Sequence, residues 1–189
     1  MTVYFYRVYI FSKVSEQHKW GYKNMSQKNE DQQPECAAIV DSSLGQELEK
    51  DECQVLTNVM KVRALIDAEV LVKEGDDDNK LFILTKGKLI VSSEIDGKNV
   101  PVYTMKVGEC AGTRAFVDLA PRRATLTAEG NTVVYTLEPA DFESLLESHP
   151  RIVYKVMRGL FRLTHINLMR MNVETQELSN YIHKSGGRY

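Results

Sequence analysis

Four glycines, Gly75, Gly87, Gly97 and Gly108, stand 12, 10 and 11 residues apart and separate short apolar runs. The runs are Glu69 to Val72, Leu81 to Leu84, Lys88 to Val91, Val100 to Met105, Thr125 to Ala128 and Thr132 to Leu137. Strand-like segments punctuated by turn residues at that interval predict a β-sandwich or barrel, because each run is too short to cross anything larger than one small sheet. Asp96-Gly97, between two of the runs, predicts a type I′ hairpin, since both central residues of that turn need positive φ.

The flanks follow a different period. Leu44, Leu48, Val55, Leu56, Val59 and Met60 recur at roughly helical spacing and predict one or two short helices before the strands. After Leu137, Pro139 opens PADFESLL at a position where a first helical turn tolerates a missing N–H. His149-Pro150 ends that helix and begins another, which runs without further proline to about Ile182, before Ser185-Gly186-Gly187 stops it. The expected architecture is mainly β with α: a double-stranded β-helix or jelly roll of about eight short strands, short N-terminal helices and a long C-terminal helix. On that helix Met157, Thr164, Met171 and Leu178 are seven apart, and Leu160, Asn167, Glu174 and Tyr181 interleave with them. Such a repeat predicts a coiled-coil-like homodimer beyond Leu163, with the turns up to Leu160 packed on the barrel.

Several function classes are excluded by what the chain lacks. Lys and Arg number 24 against 26 Asp and Glu, so no global basic charge points to nucleic acid. The four histidines, His18, His149, His165 and His183, form no HxH or HExxH pattern, which leaves no metal site and no metal-dependent enzyme to build. Cys36, Cys53 and Cys110 are odd in number and scattered, which predicts no disulfide framework, a reducing compartment and a cytoplasmic protein. No apolar run approaches the ~18–20 residues of a membrane span. The aromatic N-terminus, Met1 to Phe11, is interrupted by Arg7 and lacks a cleavage signal; a polar linker, Ser26 to Glu35, follows Met25. This predicts a disordered extension over residues 1–41, with translation starting at Met1 or at Met25. The folded domain is then expected over residues 42–183, with a tail at 184–189.

The most informative segment is GECAGTRAFVDLAPRRAT, Gly108 to Thr125. Glycines that allow close approach, a short helix whose first N–H groups lack partners, and arginines that follow in sequence make a device for holding an anion. A buried turn with solvated arginines fits the same residues.

Here the chain resembles the cyclic nucleotide-binding domain family of catabolite activator-like regulators, cyclic nucleotide-dependent kinases and gated channels. Three ordered blocks between about Leu44 and Ile182 carry the resemblance: LIDAEVLVKEGDDDNKLFILTKGKLIV from Leu65 to Val91, the Gly108–Thr125 segment as a phosphate-binding cassette, and FESLLESHP from Phe142 to Pro150. The resemblance implies that Arg122 pairs with a cyclic phosphate, that Gly112 and Ala115 frame backbone donors, and that Ala124 fits the cassette. Arg123 falls where a small residue is usual. Thr113 stands where the family has a glutamate whose carboxylate accepts the ribose 2′-OH, so that charge-assisted contact is missing; Glu109, four residues earlier, is a candidate substitute. Asn167 falls at a family position that faces the purine, although a polar residue fixing helix register fits it equally.

Two readings follow from the residues and the resemblance together. One is a non-enzymatic sensor with no cofactor, whose ligand is cAMP, cGMP or a related phosphate, and which signals to an effector protein through its C-terminal helix. The other is a degenerate, ligand-free scaffold on the same fold. The seven residues from His183 to Tyr189 are too few for a recognition helix, so a DNA-binding domain is not expected. Cys110 is a weak candidate for redox chemistry, and Asp76-Asp77-Asp78 reads as a solvated turn.

Overall fold

The computed structural model describes residues 33–185; the expectations for the extension before residue 33 and for the Gly186-Gly187 stop lie outside the described residues. The elements run α1 (Cys36–Val40), α2 (Lys50–Asn58), β1 (Met60–Leu65), β2 (Val70–Val72), β3 (Leu81–Ile95), β4 (Lys98–Met105), β5 (Cys110–Ala111), α3 (Thr113–Asp118), β6 (Thr125–Leu137), α4 (Pro139–Glu143), α5 (Leu145–Ser148) and α6 (Pro150–Ser185). One antiparallel sheet holds six strands in the order β1-β6-β3-β4, with β2 paired to β6 and β5 to β3. The expected jelly-roll class with flanking helices and a long last helix is the fold observed.

Strand count differs from the expected eight for a physical reason. The runs either side of Gly87 join into the 15-residue β3, and those either side of Gly130 into the 13-residue β6. These two strands pair from Leu81–Leu137 to Ser92–Thr125, with register shifts around Lys86 that bend the ladder without ending it. Met60, assigned to the helical pattern by its spacing, instead opens β1 opposite Leu137. Between β3 and β4, Asp96 (φ 52°) and Gly97 (φ 73°) form the expected hairpin turn, closing Ile95 onto Lys98.

Two apolar clusters hold the molecule. Leu71, Phe82, Leu84, Leu89, Leu126 and Val134 fill the roll. Ile39, Leu44, Leu56, Phe142, Val156 and Leu160 join both helical flanks to the end of the sheet. Ile39 is fully buried, so the packed unit includes α1 and begins before residue 42, where the sequence reading placed its edge. Helix α2 starts at a reciprocal capping box, Glu49 with Glu52, which satisfies two terminal amides. The Glu49 backbone N–H, followed by Lys155 on α6, holds the Glu52 carboxyl below its ordinary range. Glu47 receives Arg158 and Arg162 from the same helix, so α6 is tied to the α1–α2 segment by charge as well as by Leu160.

Cys36 and Cys53 are paired as a disulfide, with Cα atoms 5.7 Å apart, which corrects the expectation of unpaired cysteines. They lie 17 residues apart in sequence, but the α1–α2 hairpin folds them face to face. Among the described residues no helix is long and apolar enough to cross a membrane.

Candidate functional site

Strand β5 lies against β3 at Phe82 and Ile83, and this pairing carries the chain directly into Gly112 and α3. Gly112 has φ 85°, and a Cβ there would sit 2.0 Å from Nη1 of Arg122 and 2.8 Å from the Lys80 carbonyl. Glycine is therefore required on both grounds: the left-handed backbone and the space taken by the arginine. The first bond of α3 runs from the Phe116 N–H to the Gly112 carbonyl, which leaves the amides of Thr113, Arg114 and Ala115 without an intrahelical acceptor.

Arg122 is 4% exposed. Its Nη2 donates to Asp78 Oδ1 at 2.5 Å and to the Lys80 carbonyl at 2.6 Å, and its guanidinium lies 4.6 Å from the centre of the Phe82 ring. Its Nε and Nη1 are buried and have no hydrogen-bond partner within the protein. A buried cation with unspent donors costs free energy unless an acceptor meets it, so the geometry is that of an anion holder. Asp78 is not a freely solvated turn residue. Burial pushes its carboxyl up, but the hydrogen bonds from Arg122 and Lys80 outweigh that and hold it below the ordinary value.

All seven residues singled out in the sequence, Gly112, Thr113, Ala115, Arg122, Arg123, Ala124 and Asn167, line one cavity of about 470 Å³. The cavity lies between the Gly108–Thr125 segment, the strand residues Val91, Tyr103 and Leu126, and the α6 residues Leu163, Ile166, Asn167 and Arg170. Glu109 also lines it, but its carboxylate accepts from the Tyr103 hydroxyl at 2.6 Å and from the Lys106 N–H at 2.9 Å. These bonds hold the Glu109 carboxylate toward Tyr103 and the turn at Lys106. Cys110 is half-buried, and desolvation pushes its thiol up to about 11 and keeps it protonated, the opposite of a redox-active thiolate.

Sequence reasoning missed Tyr103, Asp78 and Arg170. Arg170 lies on the face of α6 that carries Leu163 and Asn167, since the three are spaced four and three residues apart. That spacing becomes a signal only once α6 is known to flank the cavity. Its guanidinium lies 4.9 Å from the centre of the Tyr103 ring, and the Glu109 carboxylate that orients this ring also raises the Tyr103 hydroxyl pKa.

Comparison with known proteins finds similar sequences and similar folds. Residues 62–149 match the cyclic nucleotide-binding domain family. Over 83 residues the chain is 39% identical to the cGMP-dependent protein kinase of Eimeria tenella, a match covering 44% of this chain and 8% of the kinase. The chain spans only about a tenth of the length of the first curated kinases it matches. The regulatory domain of Toxoplasma gondii PKA, crystallised with cAMP, superposes with a TM-score of 0.53 at 27% identity, over 58% of this chain and 42% of that one. A cyclic nucleotide-binding domain from Methylobacillus flagellatus shares the fold with a TM-score of 0.67 at 20% identity, over 71% of this chain and 79% of that one. A sheet that delivers a glycine, a short helix and a buried arginine to one cavity thus lies within a segment, residues 62–149, that matches the cyclic nucleotide-binding domain family in sequence.

Proposed function

We propose that the protein is a non-enzymatic sensor that binds a cyclic nucleotide in the cavity beneath α6 and transmits occupancy through that helix to an effector. The observation that carries this reading is Arg122, buried with two unpartnered donor groups beside the amides that open α3. A cyclic phosphate supplies acceptors for both sets. In this reading Gly112 and Ala115 frame the phosphate, Arg123 and Ala124 line its far side, Thr113 meets the ribose, and Asn167 meets the base. Thermal shift tests it directly: cAMP or cGMP at 100 times its dissociation constant should stabilise the fold by ~2.7 kcal/mol.

Thr113 supports a second reading, the ligand-free scaffold, because a hydroxyl carries no charge for the ribose. Restoring that charge separates the two. Thr113→Glu is expected to tighten cyclic nucleotide binding by ~1.5–3 kcal/mol, the worth of a hydrogen bond to a charged group. If neither the wild type nor Thr113→Glu binds cAMP or cGMP in isothermal titration, the scaffold reading replaces the sensor.

Self-association through α6 belongs to the same proposal. Met157, Met171 and Leu178, on one heptad line, are 39%, 60% and 60% exposed, while Leu160 is buried and Asn167 faces the cavity. The start of one line thus packs within the protomer at Leu160, and the exposure of Met157, Met171 and Leu178 on the other supports a second copy as its partner. Met171→Glu combined with Leu178→Glu should convert a dimer to a monomer in light scattering. A wild-type protein that is monomeric at high micromolar concentration rules out the dimer.

A further inference from the structure

We infer that the cavity has a second anion subsite at its mouth, built on Arg123, and so takes a nucleotide with two separate phosphate charges, of the cyclic dinucleotide class. The inference rests on the sensor reading above and adds the charge of the ligand to it. The cations in and beside the cavity are unequally answered. Arg122 and Lys80 share the Asp78 carboxylate, and Arg114 pairs with Asp118 at 3.8 Å. Arg170 and Glu109 meet at Tyr103, one over its ring and the other on its hydroxyl. Arg123 lines the same cavity, and among the described residues its side chain has no ion pair and no hydrogen bond. Five cations thus stand against three carboxylates. A cyclic mononucleotide brings one negative charge and leaves one cation unanswered; a ligand with two matches the site.

Placement separates the two charges. Arg122 is 4% exposed and its unspent donors lie deep, whereas the next residue, Arg123, is exposed. One guanidinium therefore serves the floor and the other the mouth, an arrangement for two phosphodiesters rather than one doubly charged phosphate. The stem that carries Arg123 is fixed on both sides. The Arg122 N–H donates to the Asp76 carbonyl, and the Arg122 carbonyl accepts from the Gly75 N–H, each at 2.9 Å. Thr125, buried at the start of β6, accepts from the Glu74 N–H at 3.0 Å through its hydroxyl. A cation on so short and pinned a segment stays beside the cavity, and its planar fork suits a phosphate.

Isothermal titration with cyclic AMP, cyclic di-AMP and 5′-AMP tests the assignment, because all three carry the same base. Cyclic di-AMP is expected to bind about fivefold more tightly than cyclic AMP at low salt, the worth of one exposed charge pair, and the gap should shrink at high salt. Arg123→Gln should narrow that ratio, and Arg123→Lys, which keeps the charge, should restore most of it. Arg123 is exposed, so both variants should fold. Cyclic AMP bound as tightly as cyclic di-AMP overturns the inference, as does a ratio that Arg123→Gln leaves unmoved or that salt does not change. Binding of 5′-AMP as tight as that of cyclic di-AMP also overturns it, because both charges are then taken at one phosphate. Each of those results leaves the sensor reading standing, since a cyclic nucleotide is still bound. Absence of binding by all three removes both.

Discussion

Arg122→Leu is expected to weaken cyclic nucleotide binding by ~2–5 kcal/mol, much of it from the phosphate left unpaired in a buried site. Leucine cannot supply the Nη1 and Nε donors, and it also releases Asp78, whose carboxylate loses its shortest hydrogen bond. The substitution should therefore lower the melting temperature as well as the affinity. Titration calorimetry alone would confuse the two, so Asp78→Asn serves as the partner variant: it weakens the clamp on Arg122 while leaving the guanidinium in place. If Asp78→Asn retains binding while Arg122→Leu loses it in a protein that is still folded, Arg122 acts on the ligand. Binding that survives Arg122→Leu would remove the phosphate role assigned to it. The pH dependence has a definite sign. Because the Asp78 carboxyl is held below its ordinary 3.8, its contribution to stability is full above that value and is lost as pH falls through the lowered one. In Arg122→Leu that part of the acid limb should shrink.

The second large effect is expected at Gly112. Gly112→Ala forces a side chain into a left-handed backbone, at a cost of ~1–2 kcal/mol, and drives its Cβ against the buried guanidinium of Arg122. Both fold and site should suffer, with a total loss of stability near 3 kcal/mol and little residual binding. Gly97→Ala isolates the first contribution. Gly97 also has positive φ, at 73°, but a Cβ there meets nothing within 4 Å, so only the backbone strain applies. A domain of this size shifts its melting temperature by about 2–4 °C per kcal/mol. The two variants should therefore differ measurably in melting temperature, and only Gly112→Ala should impair titration with a cyclic nucleotide. Equal melting temperatures and equal binding for both would show that the approach of Gly112 to Arg122 has no energetic weight.

Turn chemistry and periodicity made the roll legible from the sequence, because these are local properties. Asp96-Gly97 specifies its own hairpin, and Pro139 and Pro150 mark helix starts, without reference to anything distant. The Gly108–Thr125 cassette was legible for the same reason: its glycine, short helix and arginine are close together in one segment. What the sequence left open depends on elements that meet only after folding. The strand runs fused into β3 and β6 because each pairs along the other, and a partner's register is invisible in a single run. Asp78 looked solvated until the roll brought Arg122, 44 residues away, against it. Cys36 and Cys53 looked unpaired until α1 and α2 folded together. Arg170 had no visible role until α6 crossed the cavity and set it over Tyr103. Local backbone preference, written in adjacent residues, determined the elements; long-range packing, which buries charges and apolar faces against partners far along the chain, decided which side chains share the site.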